Sequence, residues 1–187
     1  EVVIVIAVVA LLSAILTPLL AKKMNDSKVA RAKNETQVIS AALADFMKDA
    51  GDFPSMDASG QWKKIATLVS GPSVPTTSPF TGESWFSGVK DTFDNHLAQN
   101  DPVDGGPQYP MTGDRRWQGP YLDTVSLDPW GRPYIANVRA GYSTDATKHK
   151  KVIVISAGPD GKFQTDSDAT LDMEPAGDDV VTVVSVR

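Results

Sequence analysis

The chain has no cysteine and only two histidines, His96 and His149, among its 187 residues. Without cysteine there is neither a disulfide framework nor thiolate chemistry, although the compartment stays open. The two histidines stand isolated in sequence, with no nucleophile pattern beside either. No Gly-x-Ser-x-Gly, His-Glu-x-x-His or P-loop run occurs, so the common hydrolase, zinc-peptidase and nucleotide-binding motifs are missing. A basic excess is missing too. The formal net charge is −5, the wrong sign for neutralising phosphates, which argues against a nucleic-acid partner. Repeats and low-complexity tracts are absent, and no Asp or Glu pair is marked out as an acid–base couple. The expectation is a protein that is not an enzyme.

What is present is unevenly placed. Residues 2–21 carry no charge and are Val, Ile, Leu and Ala apart from Ser13, Thr17 and Pro18. A helix of ~20 residues at ~1.5 Å rise spans ~30 Å, the hydrocarbon thickness of a bilayer. No later segment is apolar enough to enclose this run as a core helix, and no small-residue cleavage site follows it as after a signal peptide. Glu1 abuts the run and must be neutralised or paired. Pro18 should remove one backbone hydrogen bond and bend or loosen the helix.

From residue 22 to residue 50 the helical pattern continues, with Val29, Ala32, Thr36, Ile39, Leu43, Phe46 and Ala50 in one stripe. Gly51 and Pro54 end it. A second short helix is expected over 61–70, and another near 89–99. Prolines crowd the stretch 71–120, which reads as an ordered surface loop because Phe80, Trp85, Phe86 and Phe93 need burial. So long a loop is uncommon without a task. Strands are expected at 134–138, 151–156 and 180–186, separated by Gly, Asp and Pro clusters. The fold class is thus α+β: a long helix packed on a small antiparallel sheet. The organisation is an apolar half-helix at 1–21, an amphipathic half at 22–50, and a head at 51–187 with an insertion at 71–116 and an acidic loop at 156–179. The length suits one globular head and little more.

Two stretches invite a chemical reading. Trp117-Gln118-Gly119-Pro120-Tyr121-Leu122 and Asp128-Pro129-Trp130-Gly131-Arg132-Pro133-Tyr134 supply two tryptophans, two tyrosines and turn residues, enough to lock a loop onto a sheet edge as packing. Asp160, Asp166, Asp168, Asp172, Asp178 and Asp179 fall within one loop. Several carboxylates with backbone carbonyls suit Ca²⁺, though the spacing is not that of an EF-hand. A solvated acidic turn accounts for them equally.

These residues also carry a resemblance. Glu1-Val2-Val3-Ile4-Val5-Ile6-Ala7-Val8-Val9, with Leu11, Leu12 and Pro18, resembles the N-terminal helix of type IV pilins and type II secretion pseudopilins. Ala50-Gly51-Asp52-Phe53-Pro54 resembles the exit of that helix. The Trp117–Tyr121 and Asp128–Gly131 runs, with Ser156-Ala157-Gly158-Pro159-Asp160-Gly161, resemble signatures of the major pseudopilin. Residues 56–116 resemble nothing in that family, and Ala10 stands where relatives often carry glycine.

The resemblance implies a subunit of a helical filament. Prepilin peptidase would remove a basic leader and the new N-terminus would be methylated, so the chain as given lacks the first few mature residues and Glu1 is the glutamate at the helix head. The chain would wait in the inner membrane. Assembly machinery would then bundle it with its own copies and with minor pilins or pseudopilins into a periplasmic or cell-surface filament. Glu1 would pair with the N-terminal amine of a neighbouring subunit, and Pro18 would let the helix stretch. Calcium would sit in the acidic loop, with Asp160, Asp166, Asp168 and Asp179 as ligands. Lys22 and Lys23, just past the apolar run, point the other way by the positive-inside rule; the family's leader supplies the overriding charge. The signatures favour a secretion pseudopilus, while the long insertion suits a surface pilus. A membrane-anchored binding module that does not polymerise is the reading from another class.

Overall fold

The computed structural model describes residues 2–82, 84–142, 151–167 and 174–184; Glu1, His149, Asp168 and Asp172 lie outside the described residues. Helix α1, Val2–Ala50, is continuous and runs through Pro18. Beside the proline the Thr17 hydroxyl donates to the Ser13 carbonyl at 2.7 Å, the kind of side-chain contact that accompanies proline in membrane helices. The helix changes character along its length. All of residues 2–28 are exposed, whereas Ala32, Thr36, Ile39, Ser40, Ala42, Leu43, Phe46 and Ala50 are buried. The stripe read from the sequence is the buried face, with Val29 half-buried at its start. Gly51 takes φ +81° and its N–H bonds the Met47 carbonyl at 2.8 Å, closing the helix in the left-handed conformation glycine adopts freely.

The head holds a five-stranded sheet in the order β3-β1-β4-β5-β7, built from β1 (Thr67–Val69), β3 (Lys90–Thr92), β4 (Ile135–Asn137), β5 (Ile153–Ser156) and β7 (Val180–Val183). A separate pair joins β2 (Thr81–Gly82) to β6 (Lys162–Phe163) in parallel. The sheet is mixed rather than antiparallel, since β3 lies parallel to β1. The long connection over 70–89 permits that return, because parallel neighbours need a crossover of a dozen or more residues. The three expected strands form in shorter versions. The helix expected over 61–70 is instead an irregular run leading into β1, whose Thr67–Val69 is held between β3 and β4; Lys63 at φ +65° breaks any helical path. Near 89–99 the chain gives β3 and then a single π-helical turn, Asp94–Ala98.

Side chains alternate across the sheet as strand geometry requires. Leu68, Ala136, Val154 and Val180 face α1 with Ile39, Leu43 and Phe46. Val69, Ile135, Ile153 and Ile155 face the opposite way and meet Phe80, Trp85 and Phe163. The insertion therefore serves both faces: Phe80 and Trp85 cover the sheet's far side, while Phe93, Leu97 and Tyr109 join the core against α1. Helix and edge strand are also joined by polar contacts, Thr36 Oγ1 to Thr182 Oγ1 at 2.8 Å and the Ser40 hydroxyl to the Val183 carbonyl at 3.3 Å.

Candidate functional site

The turn after residue 127 is organised by one carboxylate. Pro129, with φ fixed, occupies the first central position of a β-turn closed by the Gly131 N–H on the Asp128 carbonyl at 2.9 Å. Asp128 Oδ1 accepts the Trp130 and Arg132 N–H groups at 3.0 and 2.8 Å, and Oδ2 accepts the Ser156 hydroxyl at 2.7 Å. Arg132 Nη2 then donates to the carbonyls of Gly158 at 2.6 Å and Pro159 at 3.0 Å. The second and third signature runs, distant in sequence, are thus one hydrogen-bonded unit at the end of β5.

The first signature run packs on the far end of α1. Trp117 is largely buried and its Nε1–H donates to the His96 carbonyl at 3.0 Å. A Cβ on Gly119 would lie 2.5 Å from the Trp117 ring, so this backbone passes the indole only because it bears no side chain. The peptide between Gly119 and Pro120 is cis. Tyr121 places its ring edge-on to Phe46 at 5.5 Å and to Trp117 at 5.7 Å. Its hydroxyl accepts from Gln118 N–H at 2.8 Å and donates to Asp49 at 3.2 Å. Burial, reinforced by the Asp49 charge, pushes this phenol up to about 12. Tyr134 donates to Glu35, which also holds Arg31 at 2.8 Å. Trp117, Tyr121, Asp128 and Tyr134 are thus engaged in packing and hydrogen bonds within the head.

Of the acidic loop's expected ligands, Asp160, Asp166 and Asp179 lie among the described residues. Asp160 is exposed and spends its oxygens on the Lys162 N–H at 2.8 Å and Gln164 Nε2 at 2.8 Å. Asp179 is buried; its Oδ2 accepts the N–H groups of Gln164 and Thr165 at 2.9 and 2.7 Å. Asp178 Oδ1 and Asp179 Oδ1 are buried without a hydrogen-bond partner among the described residues. Burial, with the adjacent Asp178 charge adding to it, raises the Asp179 carboxyl above the usual range. Asp166 is exposed. Among the described residues no three His, Asp or Glu side chains converge as a metal-binding group.

One cluster escaped the sequence reading. His96 is fully buried: Nδ1 is 2.6 Å from the Tyr109 hydroxyl, and Nε2 is 2.9 Å from Asp91 Oδ2 in a pairing more electrostatic than a straight hydrogen bond. Asp91 also accepts Thr92 N–H, Asn95 Nδ2 and Val103 N–H, each at 2.7 Å. Burial alone would raise this carboxyl, but the His96 contact, with the Thr92 and Val103 N–H groups, outweighs it and holds it below the usual range. With the ring enclosed and its neighbours engaged, the group is a structural tie for the insertion. No spacing rule in the sequence pairs residues 91, 96 and 109.

The apolar half of α1 meets the length and composition needed to cross a membrane and has none of that stretch buried. The family described as type II secretion system (T2SS), protein G matches residues 107–173. That segment contains all three signature runs. No curated protein and no solved structure matches the chain.

Proposed function

Because residues 107–173 carry the protein G domain of the type II secretion system, the major pseudopilin domain, we propose that the chain is a structural subunit that polymerises into a pseudopilus through its apolar half-helix. The observation that carries this reading is the union of that domain with a helix whose residues 2–28 are all exposed. Such a surface needs either lipid or copies of itself around it. The insertion gives no reason to prefer a surface pilus, since its aromatics are spent on the head's own core, Phe80 and Trp85 on the far face of the sheet and Phe93 and Tyr109 beside α1. The reading extends to an inner-membrane stage after leader removal, to Glu1 paired with a neighbouring subunit's amine, and to Pro18 as the compliant point of the helix.

Glu1→Ala should reduce filament yield by tenfold or more, about the 1.4 kcal/mol or greater expected from losing a pairing that neutralises an apolar-flanked charge. Sheared material examined by electron microscopy reads the yield, and near-UV circular dichroism checks the head. Unimpaired filaments would sink the pairing. A wild-type chain that stays monomeric in all assembly conditions would favour the anchored binding module.

Calcium belongs to the same reading, with Asp179 and Asp178 as the core of a site that Asp160, Asp166 and Asp168 could complete. The sign follows from the raised carboxyl. Without a cation the Asp179 contribution is fully present below the unfolded carboxyl value and is lost as pH rises through the raised folded value. A bound cation reverses this. Added Ca²⁺ should therefore raise the melting temperature at pH 7, chelator should remove the gain, and Asp179→Asn should abolish most of it. No shift at millimolar Ca²⁺ would reject the site.

A further inference from the structure

The Asp128 turn lies at a particular height on α1. Trp130 lines a cleft of ≈ 280 Å³ with Ala21, Met24, Asn25 and Lys28. Ala21 is where the uncharged run ends, so the lowest tryptophan of the head stands at the level where a spanning helix would leave hydrocarbon. The headgroup zone adds roughly 5 Å or more to each side of the apolar core, and Ala21 to Asn25 rises ~6 Å. Trp130 is half-buried at the rim of the main core. Around it the charge departs from that of the molecule. The chain carries −5 in total, yet residues 22–33 hold Lys22, Lys23, Lys28, Arg31 and Lys33 against the single acid Asp26. Lys22, Lys23 and Lys28 are exposed; Lys28 lines the cleft with Trp130, and Lys22 and Lys23 follow Ala21 at the same height along the helix.

We propose that this turn is a membrane foot: before assembly, Trp130 with Lys22, Lys23 and Lys28 seats the head on the phospholipid headgroups of the bilayer that α1 spans. The chemistry is that of an interfacial belt, where an indole prefers the headgroup level and lysines reach anionic phosphates while their stems lie on apolar surface. Arg31 is held by Glu35 and adds less. The foot fixes the height and rotation of the head against the membrane, and leaving it is part of the work of extraction. This inference rests on the membrane-anchored subunit reading above.

The test uses the whole chain in vesicles of phosphatidylcholine, with or without phosphatidylglycerol, containing lipids brominated either near the glycerol or deep in the tails. Trp85 is 1% and Trp117 9% exposed. Trp62 sits beside Ala50 and Gly51, ~40 Å further along the helix at 1.5 Å per residue. Shallow bromines should therefore quench Trp130 almost alone. Trp130→Phe should remove most of the shallow quenching, and Trp62→Phe should leave it intact. Lys22→Gln, Lys23→Gln and Lys28→Gln together should roughly halve the extra quenching that phosphatidylglycerol brings, in line with the screened attraction of each lysine to anionic lipid. Should Trp130→Phe fail to fold, the wild-type signal and the lysine variant carry the test. Vesicle flotation separates the two readings. A chain that does not float with the vesicles defeats the anchor. A chain that floats yet shows no shallow quenching defeats the foot alone.

Discussion

Asp128 is 4% exposed, and its two oxygens take three donors from two different segments. A buried donor left without its partner costs ~1–3 kcal/mol. Asp128→Ala strands two backbone N–H groups and the Ser156 hydroxyl, with some of the loss recovered by water at the rim. It should destabilise the head by about 3 kcal/mol in urea titrations of the detergent-solubilised chain. Asp128→Asn keeps one oxygen for the backbone pair and should lose about 1 kcal/mol. Equal losses for the two variants would mean that the charge, not the turn hydrogen bonds, sustains the unit. The sequence already marked this run, because Trp, Tyr, Pro and Gly crowd together there. It did not show that Arg132 reaches the Gly158 and Pro159 carbonyls, since such a contact depends on where β5 ends in space. For the same reason Asp178 was seen only as one of six acids, though its Oδ2 accepts the Asp160 N–H and so ties the two ends of the loop together.

Among the elements, α1 was the most readable and β1 with the insertion the least. The stripe from Ala32 to Ala50 repeats at helical spacing and is buried as expected. Thr67–Val69 reads as helix only while its partners are ignored; once Leu68 pairs with Asp91 and Ala136 the ladder decides. The insertion is held by Asp91 in a way no local pattern announces. Val103 takes φ +58°, a left-handed conformation that strains a β-branched residue, and its N–H is bound to Asp91 Oδ2 at 2.7 Å. The lowered carboxyl links this tie to pH. Its stabilising share is fully present above the unfolded value of about 3.9 and is lost as pH falls through the lower folded value. Asp91→Asn removes the charge in nearly the same shape, so it should cost about 2 kcal/mol at neutral pH and flatten the acid limb of the stability curve. Thermal melts between pH 2 and pH 7 would measure both. An unchanged acid limb would place the acid sensitivity elsewhere.

At the scale of the molecule, two bodies share one helix. The large apolar side chains from Val2 to Leu20 are 50–77% exposed, and none of them belongs to either core cluster. The core of the head draws from α1 only what begins near Val29, and its polar ties to β7 start at Thr36. Folding of the head should then be independent of the apolar half, which contributes solvent preference and assembly instead. A chain restricted to residues 22–187 retains every contact of Ala32 through Ala50, and the whole foot except Ala21. It should be soluble without detergent and keep the near-UV spectrum of the full chain. Its melting point should lie within about 3 °C of the detergent-solubilised parent, since ~1 kcal/mol moves a domain of this size by 2–4 °C. A truncated chain lacking a cooperative transition would mean that the exposed half-helix feeds stability into the head, and the division of labour along α1 would have to be abandoned.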